Sequence, residues 1–82
     1  MLTFTIVNNV KDINYIKRFG ENLQRLRINK KMSQEVLAFT SDIPISQVGR
    51  IERGEINTTI SSAKAIASAL EIPVKDLFDF IY

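Results

Sequence analysis

Residues 33–54 read Ser33-Gln34-Glu35-Val36-Leu37-Ala38-Phe39-Thr40-Ser41-Asp42-Ile43, then Pro44-Ile45-Ser46-Gln47-Val48-Gly49-Arg50-Ile51-Glu52-Arg53-Gly54. Ser33 is a good N-cap for a helix from Gln34 to about Ser41, with Leu37 and Ala38 facing inward. Asp42 falls at a turn where a left-handed backbone is often needed, and Asp tolerates that conformation. Pro44 suits the first turn of the next helix, where its missing N–H would be unpaired anyway. Val48 and Ile51 form the inward pair of that helix, and Gly54 is its expected stop. Two short helices joined by a tight turn predict a helix-turn-helix, a unit whose second helix fits the DNA major groove.

On the N-terminal side, Ile16, Phe19, Leu23 and Leu26 recur at helical spacing and predict an amphipathic helix from about Tyr15 to Asn29. On the C-terminal side, Thr58 or Thr59 caps a fourth helix carrying Ile60, Ala63, Ile66, Ala67 and Leu70. Pro73 opens a short fifth helix with Leu77, Phe78 and Ile81. The expected fold is therefore all-α, a compact five-helix domain over residues 15–82. Residues 1–14 precede it as a tail or strand. Within them Leu2-Thr3-Phe4-Thr5-Ile6-Val7 alternates apolar residues with threonine, a strand signal without a partner strand in the chain.

Eighty-two residues make one small domain, and a core of that size is often reinforced by a metal, disulfides or self-association. The chain has no cysteine and no histidine, which removes disulfides and the usual zinc ligands and leaves self-association. No cofactor or metal is expected. Neither a signal peptide nor an apolar run of about 20 residues is visible, so the expectation is a cytoplasmic protein with no membrane partner. The net charge is +2, yet residues 15–31 hold six basic residues against Glu21, and the remainder has five basic and eight acidic. Such a basic segment fits a phosphate footprint, although an ordinary solvated helix face would look the same. An enzyme is poorly supported: His and Cys are absent as base or nucleophile, and no glycine-rich phosphate loop appears.

Four groups of residues then fall into a known order. They are Phe19-Gly20 with Leu23 and Arg27, Ser33-Gln34-Glu35 with Leu37-Ala38, Ile51-Glu52-Arg53-Gly54, and Ile66-Ala67 with Ala69-Leu70. Together they resemble the Cro/phage-repressor type of helix-turn-helix domain, the xenobiotic-response-element class, over about residues 19–80. The Asn57-Thr58-Thr59-Ile60 segment and the chain's size also resemble controller proteins of restriction–modification systems, a stand-alone dimeric subset. The resemblance implies a lambda-repressor-like fold and a sequence-specific transcriptional regulator binding double-stranded DNA as a homodimer on an inverted repeat. It implies that Ile45, Ser46 and Arg50 read bases, with Gly49 on the same face, and that Gln34, Gln47 and Arg53 contact phosphate. It further implies a buried ion pair between Arg27 and Glu52.

Several positions depart from that pattern. Gly49 stands where serine or a larger residue is usual, Ile45 where a polar reader is usual, and Lys31 where a helix-ending glycine is common. Val36 and Phe39 replace polar residues; for Phe39 a packing role is expected over a contact surface. Leu77, Phe78, Phe80, Ile81 and Tyr82 supply more apolar surface than one face of a short helix buries, and are expected to form the dimer interface. A competing class is an antitoxin-like module that binds a toxin as well as DNA. RNA polymerase is a further partner if the regulator activates.

Overall fold

Three of the helices begin where a side chain caps them. The computed structural model describes residues 11–82, and the strand expected over residues 2–7 lies outside them. Helix α1 spans Ile13–Asn29, α2 Gln34–Ser41, α3 Ile45–Glu52 and α4 Ile60–Leu70, followed by a 3-10 turn at Val74–Phe78. Asp12, Ser33 and Thr59 each accept from a backbone N–H three residues on, those of Tyr15, Val36 and Ser62, at 3.0–3.1 Å. Thr59 is thus the cap of α4, not Thr58. Pro44 stands just outside α3 with an extended backbone, so the helix starts one residue later than a proline in its first turn would place it.

The stops are left-handed residues. Asp42 has φ 60°, as the turn reading requires, and Gly54 has φ 72°. Lys31 and Glu71 adopt the same region at 56° and 58° without being glycine. Each such residue costs on the order of 1 kcal/mol, which the surrounding packing offsets.

Leu23, Leu37, Val48, Ile51, Ile66, Leu70 and Leu77 are the largest fully buried side chains, and every element contributes at least one. Helix α2 packs on α3 and α4, α1 crosses α3, and the 3-10 turn closes the bundle against α1 and α4. The architecture is all-helical among the described residues, with four α-helices and a 3-10 turn in place of the fifth helix expected.

That shortfall has a cause. The buried Asn22 amide on α1 donates to the carbonyls of both Asp76 and Leu77 at 2.9 Å. Those are the acceptors that a continuing helix would offer to Phe80 and Ile81. The chain instead folds back over the start of α1. Phe80 and Tyr82 both lie with ring centroids 5.0 Å from Tyr15, and the Tyr82 hydroxyl donates to Asp12. Two expectations change accordingly. Leu77, expected at a dimer interface, is 0% exposed within its own subunit because it plugs the bottom of the core. Phe39, expected to pack, is 88% exposed, because α2 turns Leu37 and Ala38 inward and Phe39 falls on the opposite side.

Candidate nucleic-acid interface

Helix α3 is held by Val48 and Ile51, both essentially without exposure. Helical spacing then puts Ile45, Ser46, Gly49, Arg50 and Arg53 on the opposite face. Ile45, Ser46, Arg50 and Arg53 are exposed; Gln47 is half-buried at the edge of that face. Gly49 is on the face but covered. A Cβ there would meet Arg53 Nη1 at 3.0 Å, so the missing side chain provides the space in which the Arg53 guanidinium lies back across the helix.

Beneath this face is a charged knot. Arg27 Nε donates to Glu52 Oε2 at 2.6 Å, and Nη2 to Oε1 at 3.1 Å. Its remaining terminal nitrogen donates to the Met32 carbonyl at 2.8 Å. Gln34 Nε2 donates to Glu52 Oε1 at 2.9 Å. The side chains of Arg27 and Glu52 keep only 11% and 2% of their surface. One carboxylate therefore ties α1, the turn after it, and the start of α2 to the end of α3. Gln34, implied as a phosphate contact, spends one of its two amide hydrogens here and has the other to offer DNA.

The other end of α3 carries a group that the sequence reading passed over. After Gly54 the chain doubles back, and the Glu55 N–H donates to the Arg50 carbonyl at 2.9 Å. The glycine is needed twice. Its φ is positive, and a Cβ would come within 2.8 Å of the Lys17 Cα. The turn sets the Glu55 carboxylate between two arginines of the exposed face. Arg53 Nε and Nη2 donate to it at 2.8 and 3.4 Å, and Arg50 Nε lies 3.7 Å away. The hydrogen bond from Arg53 holds the Glu55 carboxyl below its ordinary value. The available signal was an acid one residue beyond the helix-stop glycine and two beyond Arg53.

The cations of α1 do not form a single stripe. Arg27 is internal, Arg25 donates to Asn22 Oδ1 at 2.6 Å, and Arg18 faces Glu21 at 3.9 Å. Part of the basic segment from which a phosphate footprint was expected is thus engaged within the fold. What α3 presents is a branched aliphatic group, a hydroxyl and an arginine whose two terminal nitrogens have no partner among the described residues. These suit a thymine methyl, either base-edge polarity, and the paired acceptors of guanine. Among the described residues no acidic, His or Cys group is placed to hold a metal, and no helix is long and apolar enough to cross a membrane.

Comparison with known proteins agrees with this arrangement. Residues 23–77 match the family model HTH_3, described as helix-turn-helix. The chain is 40% identical over 63 residues to the control protein C.BamHI of Bacillus amyloliquefaciens, covering 76% of this chain and 78% of that one. Its fold is similar to the restriction–modification controller protein C.AhdI from Aeromonas hydrophila, with TM-score 0.76 and 41% identity over 77% of this chain and 96% of that one. It is also similar to an HTH_3-family transcriptional regulator from Vibrio cholerae, with TM-score 0.78 and 29% identity over 83% of this chain and 38% of the other. A match running from α1 to the 3-10 turn, with α3 at its centre, places the chain in the HTH_3 family of helix-turn-helix DNA-binding regulators.

Proposed function

We propose that this protein is a sequence-specific transcriptional regulator of the restriction–modification controller kind, acting as a homodimer on an inverted-repeat operator. The observation that carries the reading is the outward face of α3, where Ile45, Ser46 and Arg50 stand exposed over a buried ion pair that fixes the helix. Arg50 is the principal base reader. Arg50→Ala is expected to lose about 1–3 kcal/mol on the preferred duplex and to relax discrimination at one base pair. Selection from random DNA, with wild type and variant in parallel, measures both. An unchanged base preference in the variant refutes the assignment of α3.

The dimer surface centres on Phe78 and Ile60. Tyr15, Ile16, Phe19, Ala63 and Phe78 line an apolar cavity that opens beside Ile60, and Ile60 is 90% exposed at its rim. A knob adjacent to a hole on one face is self-complementary under two-fold symmetry, so each subunit fills the other's cavity. An inverted-repeat operator requires such a dimer to hold its two reading helices about 34 Å apart, one turn of B-DNA. Ile60→Glu is expected to keep the fold and to sediment as the 9.3 kDa chain at micromolar concentration, with the wild type at twice that mass. A wild-type monomer that binds unpaired half-sites sinks the dimer.

A further inference from the structure

We propose that Glu55 is a positioning residue for base recognition: its carboxylate, hydrogen-bonded by Arg53, buttresses the Nε side of Arg50 so that the two terminal nitrogens of Arg50 are aimed at a guanine. The inference rests on the DNA-reading assignment of α3 and deepens it.

The geometry is built from backbone upward. Gly54 turns the chain so that the Glu55 N–H is fixed on the Arg50 carbonyl, which leaves the Glu55 side chain beside the helix that it serves. Arg53 then holds the carboxylate through a two-nitrogen fork, using Nε and Nη2. A Cβ on Gly49 would stand 3.0 Å from Arg53 Nη1, so the glycine leaves that guanidinium its place. The third member is Arg50, whose Nε lies 3.7 Å from Glu55 Oε1. An arginine approached from its Nε side retains the Nη1 and Nη2 donors that match guanine O6 and N7. Gly49, Arg53, Gly54 and Glu55 thereby become parts of one device.

Two physical consequences follow. A buttressed arginine has less rotamer freedom to lose when it meets its base, and the Glu55–Arg50 attraction strengthens once DNA excludes water. Both favour the correct site. On any duplex the Glu55 charge also repels phosphate and partly neutralises the two arginines, and on an unrelated duplex only that weakening remains. Glu55 therefore raises discrimination through its contact with Arg50.

The test uses the full chain and two duplexes, one selected by the wild type from random DNA and one of unrelated sequence. Glu55→Gln is isosteric and removes the charge. It is expected to bind the selected duplex about fivefold more weakly and the unrelated one about twofold more tightly, the scale of one exposed ion pair. Glu55→Asp keeps the charge on a stem too short to span both arginines. It is expected to lose affinity for the selected duplex without the gain on the unrelated one. In an Arg50→Ala background the Glu55→Gln loss on the selected duplex should vanish, because the pair acts as a unit. Equal shifts on both duplexes, or the same Glu55→Gln loss with and without Arg50, overturn the proposal while leaving α3 as the reader. A wild type that shows no salt-dependent binding to either duplex overturns the DNA reading itself, and this inference with it.

Discussion

Arg27→Ala is expected to lower the unfolding free energy by about 3–5 kcal/mol, measured by urea or thermal melts. The variant strips the Glu52 carboxylate of both arginine hydrogen bonds and leaves it with the Gln34 amide alone. Only 2% of that carboxylate's side-chain surface is exposed, so water cannot replace what is lost without the end of α3 opening. The Met32 carbonyl loses its donor in the same step. Domains of this size are stable by roughly 5–15 kcal/mol, so the loss is a large part of the whole. The pair is not therefore a large net source of stability. Replacing Arg27 and Glu52 together by apolar residues of similar volume is expected to be near neutral, since the desolvation penalty of both charges disappears with their attraction. The single variant is damaging because it strands one charge. A melt unchanged from wild type, with DNA affinity reduced, would make Arg27 a phosphate contact instead.

The order of the helices was legible because each is set largely by local chemistry. Ser33 and the apolar pair Leu37-Ala38 define α2 without reference to anything distant. Asp42, whose short polar side chain tolerates left-handed backbone, marks its end. The Arg27–Glu52 pair could not be had from spacing: those residues are 25 apart, and the expectation came from resemblance. The C-terminal end was misread where a single distant side chain decides the outcome. Nothing between Pro73 and Tyr82 reveals that Asn22, more than 50 residues earlier, captures the carbonyls on which a fifth helix depends. The same event buries Leu77 and sends Phe80 and Tyr82 onto Tyr15. On the exposed face of α3, Ile45, Ser46 and Arg50 follow from helical period once Val48 and Ile51 point inward. Glu55 does not, because its place beside Arg50 depends on a backbone reversal, and a reversal erases periodicity. Gly49 was legible as an anomaly, but its use became clear only with the Arg53 side chain in view.

Gly20→Ala is expected to cost about 3 kcal/mol, the upper part of the range for overpacking, although the change adds only one methyl group. A Cβ on Gly20 would stand 2.3 Å from the Ile51 carbonyl oxygen and 2.6 Å from that of Glu52. Both obstacles are backbone, so no rotamer change relieves them, and α1 must back away from α3. In an exposed helix the same substitution would stabilise by about 1 kcal/mol through propensity. The contact with α3 reverses the sign. The displaced backbone is also the segment from which Glu52 reaches Arg27 and from which Gly54 turns Glu55 toward Arg50. Affinity for the selected duplex is therefore expected to fall along with stability, even below the melting transition where the variant is folded. Guanidinium unfolding gives the first quantity, and DNA titration at low temperature the second. A variant as stable as wild type would mean that the two helices cross with more room than a glycine contact requires. A variant that melts early yet binds the selected duplex unchanged would show that the end of α3 tolerates movement, and that its reading face is fixed by Val48 and Ile51 alone.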